Sequence, residues 1–408
     1  MAAVGSALPA CGSKAAAGAS SDAGSGHADA GADAPGTQDP VFGPRPYYVV
    51  GHNPNSIPEV IAALDAGANG IEPDINVFDD GSGRLCISHG HGGAGASTLE
   101  QFLIDLHAVA VARPQLGLVV FDCKPDAVSP VNGALIRALV REHLTYDLDL
   151  SVIISISNLA SISMFDLIHT DLGPREGLMI DEENDPGQVA QYFIDLGVTH
   201  QGFGNGISIA SCGLLGPNVR PSMEQACATR AAHGWPRFIY VWTINCPELE
   251  REYIDIGVDG MITDDVAEVC AIVQSPEYAT VVRMAKREDN PFEPANFAYA
   301  LIVKTADRYL AGTDSFITFT LTGSLGSVEK TLNAELIKRM ERDGENFVTL
   351  QTPDLGVLQT ITVSHDDRGN GPDWYLDWIE IVSARYGVNV HVVFDQWINA
   401  FESITRTL

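Results

Sequence analysis

The chain is short of positive charge. It carries 24 Lys and Arg against 53 Asp and Glu, a net of −29. Nucleic acid is thereby excluded as a partner, because neutralising a phosphate backbone needs a basic face. Simple electrostatic capture by an anionic membrane is excluded on the same ground. No run of eighteen apolar residues occurs, so no transmembrane helix is expected. Cysteine is sparse too. The seven thiols contain no Cys-x-x-Cys pair, which removes the usual thiolate metal sites. Cys86, Cys123, Cys212, Cys227, Cys246 and Cys270 read mainly as buried structural thiols, with room for one disulfide whose pairing the spacing leaves open. Residues 1–44 lack almost everything a core requires. Nearly all are Ala, Gly, Ser, Asp or Pro, a composition that cannot offset its ordering entropy, so a disordered leader or tether is expected.

The remainder is apolar enough to fold. Hydrophobic residues make up 45% of the 408, and that length predicts two domains. Between residues 45 and 285, β-rich runs alternate with helical patterns, which predicts an α/β fold with parallel strands, best a (β/α)8 TIM barrel. A doubly wound sheet is the alternative. Candidate strands are 47–52, 69–77, 85–88, 116–122, 151–156, 177–180, 199–203, 238–243 and 260–263. Nine runs for eight places leave one over, and 85–88 is the expected extra strand. Residues 286–296 read as a linker. From 297 to 408 the period changes to two, as in Ser315-Phe316-Ile317-Thr318-Phe319-Thr320, between turn clusters such as Asp366-Asp367-Arg368-Gly369. Short alternating strands at this spacing predict a β-sandwich.

Six ionisable residues recur at the ends of the apolar runs in the first block: His52, Glu72, Asp74, His89, Asp122 and Lys124. Charge is costly to bury without partners, and placing it where strands emerge suits a barrel whose chemistry sits at its C-terminal rim. Glu72 and Asp74, two apart on a strand, face the same way. Their oxygens and those of Asp122 suit a hard ion, Mg²⁺ or Ca²⁺. Lys124 shares a face with Asp122 and would hold a phosphate oxygen as a point charge. His52 and His89 titrate near neutrality, as a general acid–base pair requires. His91 competes with His89 and ranks second, because a glycine-rich loop follows it. A Glu-x-Asp pair alone also fits a solvated turn or a glycosidase pair.

The series resembles the sphingomyelinase D-type phospholipases D of the glycerophosphodiester phosphodiesterase-like barrel superfamily. Gly67-Ala68-Asn69-Gly70-Ile71-Glu72-Pro73-Asp74 resembles the strand that carries the first two metal ligands, Ser88-His89-Gly90 the second catalytic histidine, and Phe121-Asp122-Cys123-Lys124 the Asp-x-Lys step. Tyr240-Val241-Trp242-Thr243 and Gly257-Val258-Asp259-Gly260-Met261-Ile262-Thr263 resemble the last strands. The likeness covers roughly residues 48–270. It implies one Mg²⁺ held by Glu72, Asp74 and Asp122, with His52 and His89 as the acid–base pair. It also implies a headgroup pocket lined by Tyr240 and Trp242, where an aromatic face would attract a quaternary ammonium; barrel packing is the competing reading of those two rings. The implied reaction is intramolecular attack by a substrate hydroxyl on sphingomyelin or lysophosphatidylcholine, releasing the headgroup and leaving a cyclic phosphate. The chain departs from that pattern in its Gly90-His91-Gly92-Gly93 loop and in Asp264, where the family commonly has Asn.

Residues 299–401 resemble a PLAT (lipoxygenase-homology) domain, carried by Ala311-Gly312-Thr313-Asp314, Asp354-Leu355-Gly356, Asp373-Trp374-Tyr375-Leu376 and Gln396-Trp397. The resemblance implies docking on lipid or on a protein partner, in some members with Ca²⁺. Asp314 and Asp366 are the candidate Ca²⁺ ligands, with ordinary turn acids as the alternative, and Trp374 either inserts at the interface or is buried in the core. Leu8-Pro9-Ala10-Cys11-Gly12 resembles a lipobox, which implies acylation of Cys11 and a secreted or surface-anchored lipoprotein. A monomer at a peripheral lipid surface is expected. Two rival readings stay open: a glycerophosphodiester phosphodiesterase on small soluble diesters, and a non-catalytic lipid-binding or adhesion protein.

Overall fold

A computed structural model describes residues 44–93, 95–207, 219–293, 299–333, 340–352, 354–369, 371 and 373–408. The leader and Cys11 lie outside the described residues. The first block runs β1 (Arg45–His52), α1 (Ile57–Asp65), β2 (Gly70–Glu72), β3 (Asp74–Val77), β4 (Leu85–Ile87), β5 (Ser97–Thr98), α2 (Leu99–Ala112), β6 (Leu118–Cys123) and α3 (Pro130–His143). It continues with β7 (Ser151–Ile156), β8 (Glu176–Ile180), α4 (Pro186–Asp195), β9 (Gln201–Gly206), α5 (Val219–His233), β10 (Phe238–Trp242), α6 (Pro247–Ile256), β11 (Gly260–Thr263), α7 (Val266–Val273) and β12 (Val282–Met284).

These strands close a parallel barrel of eight staves. β1 pairs with both β2 and β11, and the remaining staves follow in chain order. Pro73 splits one stave into β2 and β3, because it has no N–H to give the ladder; its carbonyl still accepts from the Asp122 N–H at 3.1 Å. The surplus strand is the expected one. β4 runs antiparallel to β3 and, with β5, forms a hairpin outside the barrel. After β7 the connection is a 3₁₀ stretch, Leu159–Phe165, rather than an α-helix. There the Asn158 side chain caps the stretch by accepting from the Ala160 N–H.

Residues 286–293, expected as a linker, pack against the barrel. Ala285 N–H bonds to the Tyr47 carbonyl. The Arg175 guanidinium gathers the carbonyls of Arg287, Glu288 and Asp289 at 2.9–3.0 Å. Phe292 is buried and stacks on His200 at 5.0 Å. The segment crosses the N-terminal end of the barrel, opposite the charged rim. A Cβ at Gly177 would stand 2.2 Å from the Phe292 ring, so the second residue of β8 is a glycine.

The second block holds β13 (Tyr299–Thr305), β14 (Phe316–Gly323), β15 (Gly326–Asn333), β16 (Glu345–Leu350), β17 (Leu358–His365), β18 (Trp374–Ser383), β19 (Val388–Ile398) and β20 (Ser403–Thr407). They form two four-stranded sheets, β16-β13-β18-β19 and β15-β14-β17-β20. The period-two pattern shows directly in β14, whose buried residues alternate with half-exposed ones. Trp374 takes the core position, one of the two expected for it. It opens β18 with 0% exposure, packs edge-on against Phe319 and donates its indole N–H to Thr305 Oγ1 at 3.0 Å. Its neighbours are core, so it is no membrane anchor. The sandwich joins the barrel where Ala228 and Ala231 of α5 meet Ala300 and Val382, and where Gln351 bonds to Arg45 and to the Ile254 carbonyl.

Candidate functional site

Parallel staves put all their C-terminal ends on one rim, and register sets the charged ends side by side. His52 is level with Glu72, Asp74 with Asp122, and Asp122 with Ser155. Ligand oxygens of Glu72, Asp74 and Asp122 all lie within 4.8 Å of one another, the only such acidic cluster among the described residues. Lys124 Nζ sits 2.6 Å from Asp74 Oδ1 and 2.5 Å from Asp122 Oδ2. His89 Nδ1 is 3.4 Å from Asp74 Oδ2. The six residues expected to act together therefore meet on one rim. Five of them, all but the fully buried Asp74, line a pocket of about 130 Å³ with Asn53, Asp181, Glu182, Trp242, Thr243 and Ile262. That is on the order of four water volumes, the scale of a phosphoryl group rather than of a whole lipid.

The electrostatics call for a further cation. Burial raises the Glu72 carboxyl well above its ordinary range, and Asp122 and Asp74 add to the rise. Burial also raises Asp122, against the pull of Lys124. Burial lowers Lys124, yet its two carboxylate partners outweigh that and hold it above the ordinary lysine value. One ammonium among three carboxylates leaves a deficit that a divalent ion with hard oxygen ligands would fill. The residues present fit such an ion.

Tyr240 and Trp242 converge on a residue the sequence reading passed over. Asp181, just beyond β8, accepts from Tyr240 Oη at 2.7 Å and Ser155 Oγ at 3.0 Å, while its carbonyl accepts from Trp242 Nε1 at 2.7 Å. Burial first, then Asp122, raises its carboxyl well above the usual range. Tyr240 is fully buried, whereas Trp242 faces the pocket. An ionisable residue at the end of an apolar run was the signal used for the other six, and it would have found Asp181. Asp264 also belongs here. Its Oδ1 lies 2.8 Å from His52 Nδ1, and Oδ2 accepts from Asn245 Nδ2 at 2.7 Å. His91 instead reaches outward to Asp126 at 2.7 Å and does not line the pocket. Cys246 is disulfide-bonded, while Cys86, Cys123, Cys227 and Cys270 are free and buried.

A model of the family described as dermonecrotic toxin SPH matches residues 43–292, and a PLAT/LH2 domain model matches 299–408. Dermonecrotic toxin LarSicTox-alphaIB1ai of Loxosceles arizonica is 26% identical over 285 residues, 61% of this chain and 89% of the toxin. LdSicTox-alphaIB3ai of Loxosceles deserta is 26% identical over 275 residues, 60% and 98% of the two chains. Among solved structures, a glycerophosphodiester phosphodiesterase from Parabacteroides distasonis aligns at 20% identity and TM-score 0.41, over 58% of this chain and all of that one. A coral 8R-lipoxygenase aligns at 28% identity and TM-score 0.24, over 26% of this chain and only 16% of its own. The rim cluster and the matched span agree: the chain belongs to the dermonecrotic toxin SPH family, the sphingomyelinase D-type phospholipases D, and carries a PLAT domain behind the barrel.

Proposed function

We propose that this enzyme cleaves choline phospholipids, sphingomyelin and lysophosphatidylcholine, with Mg²⁺ held by Glu72, Asp74 and Asp122. The observation that carries this reading is three carboxylates within 4.8 Å of one another, beside Lys124 and between two histidines. A bound ion would supply Lewis-acid stabilisation of charge on the phosphoryl oxygens. Lys124 would hold a non-bridging oxygen. A hydroxyl of the lipid attacks phosphorus, one of His52 and His89 takes its proton, and the other protonates the headgroup oxygen as the P–O bond breaks. The products are the free headgroup alcohol and a cyclic phosphate. Asp264 holds the His52 ring through Nδ1, which makes Nε2, against the Asn53 side-chain amide, the nitrogen that would exchange the proton. Trp242 would receive the cationic headgroup, with Tyr240 behind it on Asp181, since an aromatic face suits a quaternary ammonium.

A sandwich of lipid-docking type supports a peripheral, monomeric protein at a lipid surface, and likeness to toxins supports export. Acylation at Cys11 would add a tether. The expected Ca²⁺ site has weak support. Asp366 Oδ1 already accepts from Phe316 N–H and its Oδ2 pairs with Arg368. Mass spectrometry of products from sphingomyelin, lysophosphatidylcholine and glycerophosphocholine tests the reading. Cyclic phosphate from the first two, lost on Glu72→Ala or His89→Ala by a factor of about 10² or more, is expected. Turnover confined to glycerophosphocholine would favour the soluble-diester alternative. Unchanged turnover in both variants would sink the catalytic assignment.

A further inference from the structure

The loop that follows β1 is wired into the acidic cluster from two points. Asn53 has φ +51°, a left-handed conformation that asparagine tolerates better than most residues. The turn aims its backbone N–H at Glu72 Oε2, 3.1 Å away. Its side-chain amide lies between His52 and Asp74. One end is 2.9 Å from His52 Nε2. The other is 2.7 and 3.2 Å from Asp74 Oδ2 and Oδ1, and bonds to both when the amide nitrogen faces that carboxylate. Two residues on, Asn55 takes hold of Asp74 twice. Its Nδ2 donates to Oδ2 at 2.6 Å, and its Oδ1 accepts from the Asp74 backbone N–H at 2.8 Å. Asp74 is completely buried. With the Asn53 amide so turned, four bonds to two of the cluster's carboxylates come from a loop that begins with His52.

We propose that Asn53 and Asn55 form an amide clamp that couples occupancy of the Glu72–Asp74–Asp122 cluster by a divalent cation to the placement of the His52 imidazole. The inference rests on the metal site of the preceding section and not on the lipid reaction. Two physical arguments carry it. Partners that orient a metal-binding carboxylate typically change metal affinity about 10–100-fold when removed, and Asn55 orients Asp74 through both side chain and backbone. The Asn53 amide touches His52 and Asp74 at once, so the orientation that suits Asp74 fixes what His52 Nε2 meets. A cation drawing on Asp74 weakens that carboxylate as an acceptor of the Asn53 amide N–H, so the amide is held less firmly and what it presents to His52 Nε2 changes. His52 is told of the change through a single side chain. Both asparagines are positioning residues in this scheme.

Isothermal titration of the full chain with Mg²⁺, and histidine-ring ¹⁵N NMR during the same titration, test the clamp without any lipid. Asn55→Ala is expected to weaken Mg²⁺ binding about 10–100-fold. Asn53→Gly keeps the left-handed backbone and its N–H to Glu72 but removes the amide. In that variant the Mg²⁺-dependent shift of the His52 ring signals, assigned with His52→Ala, is expected to vanish while the cluster still binds the ion. Equal melting temperatures in EDTA show that both variants are folded. Wild-type affinity in Asn55→Ala, or an undiminished His52 shift in Asn53→Gly at saturating Mg²⁺, overturns the proposal. Because neither readout involves turnover, a failed lipid assay and a failed clamp remain distinguishable.

Discussion

Two carboxylates of the rim make the site sensitive to pH. Glu72 and Asp122 both hold their protons more tightly in the fold than in the unfolded chain. Without metal, the folded form therefore binds more protons, and the cluster subtracts stability as pH rises through the raised values. A divalent cation competes with those protons, so its affinity must rise with pH. Mg²⁺ titrations at pH 6 and pH 8 are expected to show tighter binding at the higher pH, with proton release on binding. Thermal shifts are expected to agree, with stabilisation of about 2.7 kcal/mol when Mg²⁺ stands at a hundred times its dissociation constant. At this scale most of the site could be read from the chain, because charge at the end of an apolar run is a local signal. Asp264 needed the structure. Its bond to His52 spans 212 positions, and only closure of β1 against β11 makes them neighbours.

At the scale of elements, the α6–α7 packing holds an unmet group. Glu250 is fully buried, and neither carboxylate oxygen finds a hydrogen-bond partner among the described residues. Burial, then Glu268 and Asp265, pushes it up to about 7. Its folded value lies above its unfolded one, so stability is lost as pH rises from the unfolded carboxylate value through 7, and the penalty is full above that. Glu250→Gln is expected to raise stability above pH 7 by something on the order of 2 kcal/mol and to change little at pH 4.5, as urea midpoints at the two pH values would show. The sandwich gives a second contrast. Trp374→Ala leaves a core cavity and an unmet Thr305 hydroxyl partner, so a loss of about 3–5 kcal/mol is expected. Tyr309 and Leu310 are 81% and 69% exposed in the turn after β13. Tyr309→Ser with Leu310→Ser is expected to leave stability within about 0.5 kcal/mol while weakening co-sedimentation with phosphatidylcholine vesicles. Sequence pattern located these strands but could not sort Trp374 from Tyr309. Both follow or precede polar turns, and burial depends on what the facing sheet places opposite.

Across the whole molecule the net charge of −29 governs which surfaces can be approached. Docking through apolar side chains on an acidic protein should favour neutral over anionic lipid and resist salt. Binding to phosphatidylcholine vesicles is expected to change less than about twofold between 50 and 500 mM NaCl, whereas binding to phosphatidylserine vesicles should be weaker and should improve with salt. Salt-driven dissociation from phosphatidylcholine would contradict this. The alternation of apolar strand and helical pattern was enough to predict a parallel α/β domain, best a barrel, followed by a sandwich, and the local rule of charge at strand ends was enough to collect His52, Glu72, Asp74, His89, Asp122 and Lys124. Both are properties of a few consecutive residues, which any window of sequence preserves. The tertiary structure decided what depends on distance in space. It turned 286–293 from linker into the barrel's floor, sent Trp374 into the core, and brought Asp181 beneath Tyr240 and Trp242. It also set Asp264 and the Asn53–Asn55 loop around the catalytic rim, because each of those contacts exists only once eight staves have closed into a ring.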